Sequence, residues 1–303
     1  MKKTQTKAAF SKHKFKAQVT MHTMLLPALI FAIIFSIIPL FGLIIAFQKF
    51  EPTAGIFGST FVDIYQFRKL FNDPDFFQVL GNTVIIAVLK IIATTVFSIV
   101  FALLINEVQN EKLKKIIQVT IFLPYFLSWA LIGTTFVEMF SSEGIVNLVL
   151  GSDVSWINQP QYFRGIIVIT DLWKNLGYQV VVFLAAITSI NANLYEAAEI
   201  DGAGHIQKCW HITIPGIKPM IVLMCILNIG NIMNAGFEQI LAMYSPLVYE
   251  TGDILDTMAY RIGIKEASWS LGTAVGLFKS LVSCIFFIIA YRIAFKVSDY
   301  KLF

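Results

Sequence analysis

Polar residues inside apolar stretches are the first candidates for chemistry in this sequence. Asn228, Asn231, Asn234 and Glu238 recur at helical spacing within one apolar run. A second run repeats the pattern with Asp171, Lys174, Asn175 and Tyr178. A charged group at the centre of a membrane-crossing helix costs roughly 2.5–3.5 kcal/mol, so such groups face the bundle interior or a cavity. We therefore expect these side chains either to line a polar cavity or to hydrogen-bond to one another across helices.

Patterns typical of enzymes and metal sites are absent from the sequence. It contains no H-E-x-x-H, no G-x-S-x-G and no pair of intramembrane aspartates. It also lacks the G-x-x-x-x-G-K-[ST] phosphate loop, so the chain itself is not expected to bind ATP. The three cysteines are far apart, without metal-ligand spacing. We expect no catalytic residue, no metal site, no bound cofactor and no disulfide, which disfavours a membrane-embedded enzyme.

The composition places these polar residues in a membrane protein. Of the 303 residues, 57% are hydrophobic and only 14% are charged. The mean hydropathy is +0.72. A soluble domain carries about 25% charged residues, so this chain has too few charges to cover its surface in water. Its solvent must be partly lipid.

Six apolar stretches have the length of a membrane-spanning helix, which is about 20 residues. They are Leu25–Phe47, Gly81–Ile105, Ile116–Val137, Gly165–Ile190, Met220–Met243 and Leu271–Tyr291. We predict an all-α membrane protein with six transmembrane helices over residues 22–303, after a Lys-rich arm at 1–21. The start resembles a signal peptide, but its apolar run is too long and no A-x-A-like site follows. It is expected to be an uncleaved first span.

The positions of the basic residues predict the orientation. If the N-terminus is cytoplasmic, the outside loops hold only Lys49, Arg68, Lys69, Arg164, Arg261 and Lys265. Most of the remaining basic residues then lie in the inside segments, including the N-terminal arm. Because positive residues concentrate on the cytoplasmic side, both termini are expected there. The arm is expected to be a topology signal that touches anionic lipid, and no nucleic acid partner is expected.

The segment 191–218, between the fourth and fifth stretches, is too long and too patterned for a simple connector. Asn193 is expected to cap a short helix rich in Ala and Glu. Asp201-Gly202 then indicates a turn, because glycine adopts backbone angles closed to other residues. The rest of the segment suggests a second short helix and the opening turn of the fifth span, through Ile206 and Trp210 four residues apart and then Pro215 and Pro219.

This segment resembles the signature of the inner-membrane permease subunits of binding-protein-dependent ABC importers. That signature is Glu-Ala-Ala, three residues, Gly, nine residues, Ile, one residue and Leu-Pro. The chain matches every interval with Glu196-Ala197-Ala198, Gly202, Ile212 and Ile214-Pro215. The one departure is Ile214 for Leu, which keeps the apolar character. The sugar-importer branch adds an Asp-Gly-Ala and an aromatic residue, here Asp201-Gly202-Ala203 and Trp210.

The resemblance implies a type I importer permease fold in which residues 191–218 form coupling helices that dock into a separate ATPase. The residues carried over to this role are Glu196, Ala197, Ala198, Asp201, Gly202, Ala203, Trp210, Ile212 and Pro215. The implied partners are a second six-span permease, a dimer of the ATPase that binds ATP and Mg, an extracellular solute-binding protein, membrane lipid and a carbohydrate substrate. The implied location is a bacterial cell membrane. An amphipathic helix lying in the interface is the alternative, but it would not need this spacing.

Weaker similarities to the oligosaccharide branch lie at Asn82-Thr83, Leu123-Pro124, Trp173-Lys174 and Gly177. Sugars are bound by amide and carboxylate hydrogen bonds together with aromatic stacking. The candidates for the substrate path are therefore Asn231, Asn234, Glu238, Lys174, Asn175, Tyr178 and Trp129. Lys174 or Lys279 in the path would suit an acidic sugar. The alternative function is a secondary transporter driven by an ion gradient, although the sequence shows no inverted repeat.

Overall fold

The computed structural model describes residues 18–230 and 232–298, with the side chains of 294–298 left aside. Asn231 and most of the Lys-rich arm lie outside the described residues. The helices are α1 (Gln18–Phe47), α2 (Gly55–Gly58), α3 (Tyr65–Phe71), α4 (Phe76–Asn106), α5 (Glu111–Phe122), α6 (Trp129–Met139), α7 (Ile145–Leu150), α8 (Pro160–Thr188), α9 (Ala192–Ile200), α10 (His205–Gly230), α11 (Phe237–Met243), α12 (Tyr249–Gly252), α13 (Leu255–Tyr260) and α14 (Trp269–Ser298).

Shorter elements connect these helices. Strands β1 (Gln48–Lys49) and β2 (Thr60–Phe61) form a small antiparallel hairpin around α2. Turns of 3₁₀ helix occupy Leu123–Phe126, Trp156–Asn158 and Pro246–Val248, and the second part of α1 (Ile38–Phe47) is also 3₁₀. Turns of π-helix lie at Ile33–Ile37, Cys209–Thr213 and Arg261–Lys265.

Five helices in the described part are long and apolar enough to cross a membrane, namely α1, α4, α8, α10 and α14. The count rises to six if α5, its 3₁₀ extension and α6 form one broken span. The first, second and sixth predicted stretches fall within α1, α4 and α14, and the fourth, Gly165–Ile190, extends two residues beyond the end of α8 at Thr188.

The prediction of one continuous helix over Ile116–Val137 is wrong. The axis turns by 98° between Phe126 and Trp129. Pro124 lies in the 3₁₀ turn, and Ser128 is extended with ψ at 146°. Proline lacks the N–H that continues an α-helix, so the helical hydrogen bonding ends here.

The continuous helix predicted over Met220–Met243 is also wrong. Helix α10 ends at Gly230 and α11 begins at Phe237, and residues 232–236 between them are not helical. Gly236 has φ at +96°, in the left-handed region that glycine occupies at little cost. The helical stripe expected from Asn228 to Glu238 is therefore interrupted.

Two apolar cores lie along the central pair of helices α4 and α8. The first core includes Phe76 and Ile86 of α4, Phe163 and Ile167 of α8, and Ile240 of α11. The second core is built by Ala102, Phe183, Ile187, Ile217 and Met224. The cores occupy different levels of the two helices, so the residues between them, about 87–98 of α4 and 170–179 of α8, form an intermediate layer.

Helix α8 packs closely against the end of α5. A Cβ atom added at Gly177 would collide with the carbonyl oxygen of Ile121 and with the backbone of Phe122. Only a residue without a side chain allows this approach. The contact sets the position of the turn that carries Tyr125 and then α6.

Candidate functional site

A polar cavity of about 310 Å³ lies in the layer between the two cores. Its wall comes from α4, the turn after α5, α8, the end of α10 and the interruption before α11. The polar and aromatic lining residues are Lys90, Thr94, Tyr125, Asp171, Asn175, Tyr178, Gln179, Asn228 and Asn234. Amide, hydroxyl, charged and aromatic groups thus converge on one space inside an apolar bundle, which is typical of a binding site.

Lys90 fixes the interruption between α10 and α11. Its ammonium group donates hydrogen bonds to the carbonyl oxygen of Ala235 at 2.7 Å and to Oε1 of Gln239 at 2.5 Å. It also lies 3.3 Å from the carboxylate of Asp171. The free carbonyl of a broken helix needs a donor inside a membrane, and Lys90 supplies it.

Gln239 extends this network to α8. Its Nε2 atom donates to the carbonyl oxygen of Ile167 and to Oγ1 of Thr170, both at 2.8 Å. Gln239 is fully buried, and both ends of its amide are satisfied. The network therefore joins α4, α8 and α11 at the side of the cavity.

An aromatic group forms another part of the wall. The rings of Tyr125 and Tyr178 stack with centroids 5.1 Å apart and planes 13° from parallel. Lys174 donates to the carbonyl oxygen of Tyr125 at 2.8 Å, and its ammonium lies 5.8 Å from the ring centroid of Trp129. Lys174 thus holds the turn between α5 and α6 against α8.

The substrate-path residues predicted from the sequence are brought together only in part. Asn175, Tyr178 and Asn234 line the cavity, whereas Lys174 and Trp129 are buried beside it. Glu238 is exposed on α11 and does not line the cavity, because the interruption turns α11 away from the register of α10. Asn231 lies outside the described residues.

Sequence reasoning missed several wall residues. Sequence reasoning did not connect Asp171 with Lys90, although the structure places the two in an ion pair. It did not single out Thr94, Tyr125 or Gln179. The i, i+4 spacing of Asn175 and Gln179 on α8 is a signal that would have found Gln179.

A second cavity of about 300 Å³ adjoins the first through Asn234. Lys279 of α14 donates to Oδ1 of Asn234 at 2.5 Å and to both carboxylate oxygens of Asp256 at 2.6 and 2.8 Å. Lys279 therefore points into the bundle rather than outward. Its charge is paired with Asp256.

The segment 191–218 forms a helical elbow, which is α9, the turn 201–204 and the start of α10. Asn191, not Asn193 as predicted, caps α9, because its side chain accepts from the backbone N–H of Asn193 at 3.0 Å. Gly202 has φ at +78°, and the N–H of Ala203 closes the turn on the carbonyl of Ala198 at 2.9 Å. This is the left-handed helix end that glycine favours.

Three side-chain contacts fix the elbow. Lys208 forms an ion pair with Glu199 at 2.6 Å, and this hydrogen bond and charge lower the pKa of the Glu199 carboxyl. The hydroxyl groups of Tyr195 and Thr213 lie 2.9 Å apart and tie α9 to α10. Nδ1 of His205 lies 3.0 Å from the carboxylate of Glu107, at the end of α4.

The second helix of the elbow is not separate from the fifth span. Helix α10 runs without interruption from His205 to Gly230, so Pro215 and Pro219 lie within it rather than at its opening. The π-helical turn Cys209–Thr213 directly precedes this region. Its shifted hydrogen bonding allows the chain to pass a proline without ending the helix.

The elbow leaves most of its signature residues accessible. Glu196, Ala197, Asp201, Gly202, Trp210 and Pro215 are exposed, and Ala198, Ala203 and Ile212 are half-buried. Ile206 and Trp210 are 76% and 64% exposed on one side of α10. Trp210 and Ile206 therefore do not attach the elbow to the described part of the bundle.

Comparison with known proteins decides the family. Residues 95–299 match the family described as "Binding-protein-dependent transport system inner membrane component". The chain belongs to this family. It is a transport subunit of an importer that works with a binding protein, and the alternative of an ion-gradient-driven transporter is not supported.

Relatives agree with this assignment over nearly the whole chain. The Bacillus subtilis polygalacturonan/rhamnogalacturonan transport system permease protein YteP is 35% identical over 291 residues, which is 94% of this chain and 91% of YteP.

Two solved structures also resemble the chain, each with a TM-score of 0.87. One is a bacterial ABC transporter involved in the import of the acidic polysaccharide alginate, at 33% identity over 94% of this chain and 98% of that one. The other is a bacterial alginate ABC transporter in complex with an alginate pentasaccharide-bound periplasmic protein, at 32% identity over 96% and 99%. The all-helical fold is thus that of a type I ABC importer permease.

Proposed function

We propose that this chain is one of two permease subunits in an ATP-driven importer that moves an oligosaccharide across a bacterial cell membrane. The observation that carries the proposal is the polar cavity between the two apolar cores. Its wall combines amides, a hydroxyl and stacked tyrosines, which are the groups that hydrogen-bond and stack with sugar rings.

The substrate class is proposed to be an acidic oligosaccharide. YteP is named for polygalacturonan and rhamnogalacturonan transport, and the two similar structures concern alginate. Polygalacturonan and alginate are polymers of uronic acids. Lys174 lies close to the proposed path, where its positive charge favours the approach of an anion, whereas the charge of Lys279 is already paired with Asp256.

The elbow is proposed to be the element that couples transport to ATP hydrolysis. Its small residues Ala197 and Gly202 allow another protein to approach closely, and Glu196 and Asp201 offer charges at its surface. Ile206 and Trp210 offer apolar side chains to a pocket. ATP and Mg are bound by the separate ATPase subunits in this proposal, and both termini of the chain face the cytoplasm with the elbow.

Other partners follow from the same proposal. Helix α1 contributes a mostly apolar surface with no buried residue in its most hydrophobic window, which suits contact with lipid or with the second permease. An extracellular binding protein would deliver the sugar to the opposite face. ATP binding would then switch the bundle between two packings that open the cavity to different sides.

Whole-cell uptake tests the proposal. Cells that lack the gene for this chain are compared with the same cells after the wild-type gene has been restored. Uptake of labelled trigalacturonate and of labelled maltotriose is measured in both. We expect trigalacturonate uptake to require the chain and to persist when a protonophore collapses the ion gradient while ATP is maintained. Chain-dependent uptake of maltotriose but not of trigalacturonate would support a carbohydrate importer and refute the proposal that its substrate is acidic. Chain-dependent uptake of neither sugar would contradict carbohydrate transport.

A further inference from the structure

Two polar atoms of residues in the cavity wall have no hydrogen-bond partner among the described residues. They are the amide oxygen of Gln179 on α8 and the amide nitrogen of Asn228 on α10. Gln179 is only 8% exposed, and both atoms are inaccessible to solvent. A buried polar group without a partner destabilises a protein, so each such group requires an explanation.

Three strongly polar groups beside this cavity, on Lys90, Lys174 and Gln239, have hydrogen-bond partners. Lys90 has three partners, Lys174 donates to the carbonyl of Tyr125, and both ends of the Gln239 amide are bonded. The remaining buried atoms without a hydrogen bond in the described part, on Gln48, Thr95 and Tyr244, do not belong to the cavity lining, and Nη1 of Arg261 lies 2.7 Å from the carboxylate of Asp253. Among the buried side-chain atoms of the wall in the described part, the ones without a partner are thus one acceptor and one donor.

We propose that Gln179 and Asn228, whose unpaired atoms are enclosed in this packing of the bundle, recognise hydroxyl groups of the transported sugar in the packing that opens the cavity. The proposal rests on the proposed function and assigns two specificity-determining contacts to it. The oxygen of Gln179 requires a donor and the nitrogen of Asn228 requires an acceptor. A sugar hydroxyl supplies both roles, whereas an ionised carboxylate only accepts. The stacked rings of Tyr125 and Tyr178 in the same wall offer the flat surface that an apolar sugar face requires.

The two amides would therefore read the hydroxyl pattern of the sugar rather than its charge. The competing explanation is structural: an enclosed water molecule, or a direct bond between the two amides after a small rotation, satisfies both atoms. A structural role predicts that removing one amide changes stability without changing the choice of sugar. A contact with the substrate predicts that it changes that choice.

The test uses Gln179→Met, which keeps the side-chain length but removes hydrogen bonding, and Asn228→Leu, which does the same for the second amide. Gln179→Glu keeps an acceptor oxygen and serves if the Met variant fails to reach the membrane. Gln161→Met, on the exposed first turn of α8, is the matched control. Cells carrying each variant take up labelled trigalacturonate, with deoxy analogues that lack one hydroxyl of the central sugar as competitors.

We expect Gln179→Met and Asn228→Leu to lower uptake about tenfold at equal membrane amounts, the size of one lost hydrogen bond. We also expect the wild type to discriminate against one deoxy analogue and the variants to lose that discrimination. Wild-type uptake and unchanged discrimination in both variants would overturn the inference and leave the proposed function intact. If the wild-type chain takes up no carbohydrate at all, the proposed function fails, and this inference fails with it.

Discussion

The ammonium group of Lys90 on α4 lies 3.3 Å from the carboxylate of Asp171 on α8. Both side chains are largely buried, and Lys90 also donates to the carbonyl of Ala235 and to Gln239. One cation therefore connects two central helices to the interruption between α10 and α11. The cost of a charge in an apolar helix is offset here by an opposite charge and by hydrogen bonds to an interrupted backbone.

Replacing Lys90 by Met is expected to destabilise the protein by about 3–5 kcal/mol, because it leaves Asp171 as an uncompensated buried charge. The carbonyl of Ala235 and the oxygen of Gln239 also lose their donor. The measurement is the thermal unfolding of the purified chain in detergent. Lys69→Met, at an exposed position, is the matched control and should unfold as the wild type does.

A second substitution separates the ion pair from the rest of the network. Asp171→Leu added to Lys90→Met removes the uncompensated charge, so the double variant should recover part of the lost stability. A double variant that is less stable than Lys90→Met alone would show that Asp171 has another essential partner. The dominant role of the ion pair would then be refuted.

Gly177→Ala is expected to lower stability by about 1–3 kcal/mol, the cost of overpacking a close contact. The added methyl group would collide with the carbonyl oxygen of Ile121, which is backbone and cannot rotate away. Gly165→Ala in the same helix meets open space and should be neutral or slightly stabilising. Unfolding temperatures of the two variants decide this, and equal values would mean that α8 is free to move away from α5.

The sequence predicted most of the fold because spanning helices are long and apolar. Three of the six predicted stretches lie within helices, and a fourth extends two residues beyond its helix. Two lysines of these helices, Lys90 and Lys279, point into the bundle. The breaks between α5 and α6 and between α10 and α11 were not predicted, because hydropathy carries no information on backbone geometry. Pro124 was the local signal for the break after α5, and Gly230 and Gly236 were the local signals for the break between α10 and α11.

The cavity wall was harder to predict than the helices. Asn175, Tyr178 and Asn234 were found from polar spacing, but Glu238 was placed there by assuming a continuous helix. The partner of Asp171 could not be found from spacing within one helix, since Lys90 lies far away in the sequence. Pairing across helices depends on their packing, which a single sequence does not encode in a readable pattern.

The stability contribution of Asp253 should depend on pH. Burial raises the pKa of its carboxyl, although a hydrogen bond from Thr257 and the charge of Arg261, 2.7 Å away, act in the opposite direction. With its folded-state pKa above the ordinary value of about 3.9, the folded protein holds this proton more firmly than the unfolded chain. The contribution is then complete below about pH 4 and is lost as the pH rises through the folded-state pKa.

The comparison of wild type with Asp253→Asn isolates this effect, because the amide does not titrate. The stability of the wild type relative to the variant should fall as the pH rises from about 4 towards neutrality. Unfolding temperatures at several pH values measure the difference. A wild-type advantage that grows with pH would mean that the Arg261 ion pair outweighs burial and that the folded-state pKa is lowered.

The elbow is proposed to join this permease to an ATPase, and co-purification measures that association. Ala197→Arg places a long cationic side chain on the exposed surface of α9, and Ala54→Arg places the same side chain on the loop before α2, at the other end of the molecule in the proposed orientation. The tagged wild-type chain and the Ala54→Arg control should both recover an ATPase subunit from detergent-solubilised membranes. The Ala197→Arg chain should recover at least about tenfold less ATPase, which corresponds to a loss of roughly 1.4 kcal/mol of binding free energy. Equal recovery with all three chains, or no ATPase with the folded wild type, would show that the elbow does not couple this chain to an ATPase.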